Sequence, residues 1–222
     1  MLTNIARLAA TNAHAKQTRR FTGEPYINHP QAVVQFLERF NVGEQILAAA
    51  WCHDVLEDCG ICYEALELCI GTIATDIVFE VTNKEFPEGT PRIEKYWHNI
   101  ERLVRASHQA QTLKCGDIYD NCKDVYERDQ HYGAKYIAEK YFLIRIFARA
   151  QSDVRQTVMQ MLHDRYLSMT PDDRMYCLEY MARLDKECPA DLRSLFDQAR
   201  KEAGIESLCC GEHDGATCIQ NA

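Results

Sequence analysis

The chain has 222 residues, enough for one good-sized core or for one core with a helical appendage. Hydrophobic residues make up 46%, too many for a disordered chain, and ten Gly with six Pro are few enough to favour long helices over a turn-rich β fold. Asp and Glu outnumber Lys and Arg by 33 to 25, a net charge of −8, which excludes a chain-wide basic face for nucleic acid or for a membrane surface. A small polyanion remains acceptable where a metal and a few local cations reverse the field.

Helical periodicity runs the length of the chain. It predicts helices over 2–18, 30–40, 43–58, 61–69, 71–83, 91–107, 109–129, 131–150, 153–168, 171–186 and 189–203. Ile5, Leu8 and Ala9 begin the first apolar stripe. Ile137, Tyr141, Ile144 and Ala148 form another; Val154, Val158, Met161 and Leu162 follow, then Met175, Leu178, Met181 and Ala182. Gly43, Gly71 and Gly133 mark helix boundaries, and Pro30, Pro91, Pro171 and Pro189 sit at first-turn positions. Thr170 before Pro171-Asp172-Asp173 is an N-cap signature. Residues 84–91 (KEFPEGTP) read as the clearest loop, and no strand or repeat stands out.

The first residues read as an amphipathic helix rather than a leader, and no segment approaches the roughly 20 apolar residues that span a bilayer. The eleven cysteines are therefore expected to be reduced, and the compartment cytoplasmic. Cys59 and Cys62 make one C-x2-C, but no second pair stands at the spacing a structural zinc needs.

Chemistry concentrates in three stretches. In AAAWCHDVLED (48–58), an apolar run delivers His53, Asp54, Glu57 and Asp58 together. On a continuous helix His53 lies above Glu57 and Asp54 above Asp58. Carboxylates crowded at a buried helix end repel one another and lose solvation, and a divalent cation relieves both; the bland alternative is a solvated helix end. Because one helix cannot close a coordination shell, two further stretches become candidates. His29 in GEPYINHP stands at the mouth of a helix, where it could equally be a capping residue. In LKCGDIYDN (113–121), Asp117 and Asn121 share a helix face with Lys114 one turn earlier, a pattern that an exposed polar stripe would also give. Two imidazoles and two carboxylates suit Mn²⁺ first, with Fe²⁺ or Zn²⁺ as alternatives, and leave positions for water and a substrate oxygen. Glu57 and Asp58 would orient and deprotonate that water. Lys16, Arg19 and Arg20, just before His29, could clamp a phosphate and stack on a base.

The ordered set AHAKQTRRFTGEPYINHP, AAAWCHDVLED, VTN and LKCGDIYDN resembles the HD-domain hydrolases of the alarmone type, the hydrolase half of Rel/SpoT enzymes and the stand-alone small alarmone hydrolases. The resemblance covers about residues 5–150. It implies an all-α HD-domain helical bundle over 1–150; from their own content, residues 151–207 read as a helical extension packed on it and 208–222 as a flexible tail. It implies metal ligands His29, His53, Asp54 and Asp117, catalytic acids Glu57 and Asp58, and a nucleotide held by Arg19, Arg20 and Asn121, with Thr82, Arg92 and Lys114 as further substrate contacts. The implied reaction is Mn²⁺-dependent removal of pyrophosphate from the 3′ position of ppGpp or pppGpp. Cys115-Gly116 depart from the family's aliphatic residue and Ala, at a cost of about 1 kcal/mol of helix propensity. The residues after 150 are helical and too few for a synthetase module, so hydrolysis without synthesis is expected. Two other readings stay open: the same site acting on NADPH or another nucleotide, and a catalytically silent nucleotide-binding module. The implied partner is a small nucleotide, with no nucleic acid and no membrane; the sequence is silent on oligomeric state.

Overall fold

A computed structural model describes residues 1–202, with side-chain surroundings through residue 198. The expected tail over 208–222, and the end of the last expected helix, lie outside the described residues. Thirteen helices are present among the described residues: α1 (Leu2–Ala13), α2 (Asn28–Glu38), α3 (Glu44–Cys52), α4 (Val55–Asp58), α5 (Tyr63–Ile70), α6 (Thr72–Val81), α7 (Arg92–Arg105), α8 (His108–Cys122), α9 (Val125–Arg128), α10 (Gln130–Ile144), α11 (Ser152–Ser168), α12 (Pro171–Glu187) and α13 (Ala190–Glu202). The all-α expectation holds, and the only extended pairing among these residues is one bridge between Thr18 and Pro25.

Four expected helices are shorter or broken, among them the one over 131–150, which ends at Ile144. The first stops at Ala13, and residues 14–27 fold back as a loop. In it Arg19 N donates to Glu24 O, Tyr26 N donates to Gln17 O, and Gly23 takes φ 71°, a left-handed conformation that favours glycine. The helix expected over 43–58 breaks at His53-Asp54, and the one over 109–129 breaks at 123–124. The expectation for α1's stripe also fails: Ile5 and Leu8 are exposed, while Ala6 and Ala10 are buried. α1 packs on α3 through this face, and the Cys52 thiol lies 3.5 Å from the Ala6 carbonyl. Small side chains let the two helices close tightly, so hydrophobic size misidentifies the inner face. On α12 the buried residues are Cys177 and Leu184, and Met175 is exposed.

α2, α3 and α8 pack on one another and place the site. Gly116 lies at the α2–α8 crossing, where an added Cβ would stand 3.0 Å from Leu37 Cγ and 3.1 Å from Val33 Cγ1. The missing side chain thus serves close helix approach, which offsets its poor helix propensity. Gly133 is tighter still. A Cβ there would lie 2.5 Å from the Tyr126 Cα, which is backbone and cannot swing away. Gly133→Ala should therefore destabilise the fold by about 1–3 kcal/mol, read as a lower urea midpoint at unchanged slope.

α11 continues the same core. Val154, Val158 and Leu162 are fully buried, and Gln151 Nε2 donates to Phe40 O at 2.9 Å. Thr170 caps α12 as expected, its hydroxyl accepting from Asp173 N. No helix among the described residues is long and apolar enough to cross a membrane.

Candidate metal centre

His29 enters from the first turn of α2, and His53 and Asp54 from the break between α3 and α4. Asp117 enters from the middle of α8. His29 Nε2 lies 3.1 Å from His53 Nε2, 3.2 Å from Asp117 Oδ1 and 3.6 Å from Asp54 Oδ2. His53 Nε2 lies 3.0 Å from Asp54 Oδ2 and 3.7 Å from Asp117 Oδ1. Both imidazoles are 2% exposed, so water cannot satisfy them.

Hydrogen bonds on the outer side fix which atoms face inward. His53 Nδ1 donates to the Ala50 carbonyl at 2.9 Å. That carbonyl belongs to α3's last turn, so the imidazole caps the helix where the chain turns, and the turn directs His53 and Asp54 into the interior. His29 Nδ1 donates to Asp120 Oδ2 at 2.6 Å. With both Nδ1 protons engaged, the two Nε2 lone pairs and an Asp54 oxygen lie within 4.8 Å of one another, and Asp117 Oδ1 stands beside both imidazoles. Adjacent ligand atoms about 2.1 Å from a divalent ion stand about 3 Å apart, so this N/O donor set fits such an ion. The electrostatics agree. Burial disfavours a charged His53, but the Asp54 and Asp117 carboxylates outweigh it and raise its pKa to about 10. Burial likewise opposes the Asp54 and Asp117 charges, yet His53 holds Asp54 below the usual carboxylate range, and Lys114 with the two imidazoles does the same for Asp117. The metal-free cluster thus holds a cation in the form of a proton.

The remaining expected residues fall into three groups. Arg19, Arg20 and Asn121 line a cavity of about 230 Å³ that opens beside His29. Arg19 donates to Asn121 Oδ1 at 3.0 Å, and Asn121 Nδ2 donates to Asp117 Oδ1 at 2.5 Å. Lys16 does not line this cavity. Glu57 and Asp58 are exposed, so the crowding of three buried carboxylates expected from a continuous helix is absent. Glu57 accepts from Asn83 N and Nδ2, both at 3.1 Å, and Asp58 Oδ2 accepts from Gln17 Nε2 at 2.9 Å.

Thr82, Arg92 and Lys114 do not line the cavity. Thr82's hydroxyl donates to Val78 O, and Arg92 is ion-paired with Glu139 at 2.7 Å. Lys114 is bound to Asp117 Oδ2 at 2.7 Å and so supports a cluster carboxylate.

Sequence reasoning missed Tyr26, Asp120, Gln17 and Asn83. Tyr26 OH donates to Asp54 Oδ2 at 2.7 Å. Asp120 did carry a signal, since it stands three residues after Asp117 on the same helix face. The others meet the site only through tertiary folding.

A bundle of this kind, with a His–His-Asp cluster held between α2, α3 and α8, defines an HD-domain protein, and a model of the HD domain matches residues 6–86. Over 129 residues the chain is 30% identical to the guanosine-3′,5′-bis(diphosphate) 3′-pyrophosphohydrolase MESH1 of Danio rerio, covering 56% of this chain and 69% of that protein. The chain belongs to the HD-domain family that contains MESH1. Over 102 residues it is 35% identical to the guanosine-3′,5′-bis(diphosphate) 3′-pyrophosphohydrolase of Vibrio cholerae, covering 46% of this chain but only 14% of that longer protein. The solved structure of a metazoan ortholog of SpoT, described as hydrolysing ppGpp, matches with a TM-score of 0.53 at 20% identity, over 92% of this chain and 97% of that one. At that identity the match speaks for the fold.

Proposed function

We propose that the chain hydrolyses the 3′-pyrophosphate of guanosine alarmones, converting ppGpp or pppGpp to GDP or GTP and pyrophosphate, as a cytoplasmic Mn²⁺-dependent enzyme. The observation that supports this reading is the cluster of His29, His53 and Asp54, with Asp117 Oδ1 3.2 Å from His29 Nε2, beside a cavity lined by Arg19 and Arg20. The names of the Danio and Vibrio relatives supply the substrate. Mn²⁺ is preferred because half the donor set is carboxylate.

A divalent ion bound by these four side chains supplies Lewis acidity at a phosphoryl oxygen and eases ionisation of water. The protein's own groups do the rest. Arg19 is held by Asn121 and lies 5.8 Å from the Tyr26 ring centre, so its guanidinium is set before substrate arrives. Arg20 has no carboxylate partner among the described residues; it lies 5.6 Å from the Phe21 ring and is the freer cation for a phosphate. Both oxygens of Glu57 are engaged by Asn83, whereas among the described residues Asp58 has only Oδ2 engaged, by Gln17. Asp58 Oδ1 is therefore the better placed to take a proton, and Glu57 the better placed to orient it. Residues 151–202 act as a buttress, with α11 packed against α8 and α12 against α10.

The test is product identity. Purified protein loaded with Mn²⁺ should release pyrophosphate from ppGpp. Orthophosphate released from NADPH or other monoesters, with ppGpp untouched, would replace this reading with that of a general nucleotidase. Tight ppGpp binding without product would make the chain a nucleotide sensor.

A further inference from the structure

We propose that Asp120 is a positioning residue of the metal centre: from outside the ligand set it holds the His29 imidazole in place and strengthens it as a donor, and so sets the protein's affinity for a divalent ion. The inference rests on the reading of His29 as a ligand.

Asp117, Asp120 and Asn121 stand at i, i+3 and i+4 on one face of α8. Asp117 points into the cluster and Asn121 braces it. Asp120 instead reaches across to α2 and meets His29 at the ring nitrogen facing away from the cluster, Nδ1, at 2.6 Å. It is 6% exposed, and a carboxylate so buried needs partners. Its Oδ2 takes the His29 proton, and its Oδ1 takes Lys123 Nζ at 2.6 Å. Arg19 Nη2 stands 3.7 Å from Oδ2. Both oxygens are therefore engaged on the outer side of the imidazole, which leaves Asp120 in a supporting place and not in the ligand set.

The two imidazoles are consequently not equivalent. His53 gives its outer proton to a neutral carbonyl, Ala50 O, while His29 gives its outer proton to a carboxylate. A charged acceptor makes the stronger hydrogen bond, pushes electron density toward Nε2 and fixes the ring against rotation. Of the two, His29 should depend more on its outer partner. Asp120 also lines the cavity that holds Arg19, so one side chain borders both the ion and the anion-binding cations.

The experiment is a Co²⁺ titration of the full chain, followed by a competing chromophoric chelator and by the visible d–d bands, for the native protein, Asp120→Ala and Asp120→Asn. Asp120→Ala should weaken Co²⁺ binding about 10- to 100-fold and shift the bands. Asp120→Asn keeps an oxygen acceptor for His29 Nδ1 and should recover part of the loss, a rescue that a general packing defect would not show. It also carries the test should the alanine variant fail to fold. Native-like affinity and an unchanged spectrum in a folded variant would overturn the proposal while leaving the ligand set intact. Native protein that takes up no Co²⁺ would overturn both.

Discussion

Asp54→Ala is expected to abolish turnover and divalent-ion binding while the helices stay formed. The Asp54 carboxylate is the atom group nearest to His53 Nε2, at 3.0 Å, and it is the only carboxylate held by the Tyr26 hydroxyl. Its removal opens the donor set on the α3–α4 side, where Glu57 and Asp58 are exposed and bonded to Asn83 and Gln17. Loss of one preorganised electrostatic group commonly lowers a rate about 10²- to 10³-fold, and a lost ligand should exceed that. The fold should tolerate the change, since α3 is anchored by Ile46, Trp51 and Cys52, all buried in the core. Steady-state kinetics with far-ultraviolet circular dichroism checks both halves. Full turnover, or collapse of the helical signal, would remove Asp54 from its assigned role. Tyr26→Phe leaves the carboxylate in place and should cost far less, read as a modest fall in kcat.

How much of this was visible beforehand depends on the kind of constraint. His53 and Asp54 were legible because they end an apolar run, whereas His29 and Asp117 gave weaker local signals and stood out through the ordered motifs. The core faces of α10 and α11 were legible too, since Ile137, Tyr141 and Ile144, then Val154, Val158 and Leu162, are buried at helical spacing. The break at His53-Asp54 was not, because it comes from a side chain reaching back to the Ala50 carbonyl, and no breaker residue announces it. After that break Glu57 and Asp58 are exposed while His53 is buried, so the crowding of buried acids read from helical spacing does not form. The inner face of α1 was hidden for a different reason. Alanines fill it, and apolar size ranks Ile5 and Leu8 above them. The supporting contacts were out of reach of any local pattern: Gln17 to Asp58 spans 41 positions, and Arg19 to Asn121 spans 102. Arg92 shows the converse. The resemblance implied a substrate contact there, and in the fold Arg92 pairs with Glu139, a partner 47 residues away.

Removing the metal should make stability depend on alkaline pH in a way that the loaded protein does not share. In the metal-free state His53 is a buried imidazolium between Asp54 and Asp117, with its pKa raised from 6.5 to about 10. A raised pKa means that the folded state binds the proton more tightly than the unfolded chain does. The stabilisation is therefore complete below pH 6.5, declines as pH climbs, and is gone once pH passes about 10. A full separation of that size corresponds to about 5 kcal/mol, a large part of the stability of an ordinary domain. With a divalent ion in place no proton is needed at Nε2, and the same pH range should leave the fold almost untouched. Thermal unfolding of chelator-treated and Mn²⁺-loaded protein between pH 6.5 and 10 measures the difference. The gap in Tm should widen steadily with pH, and substitution of His53 by Gln should flatten the metal-free curve. Parallel curves would mean that proton and metal do not compete for the same nitrogen.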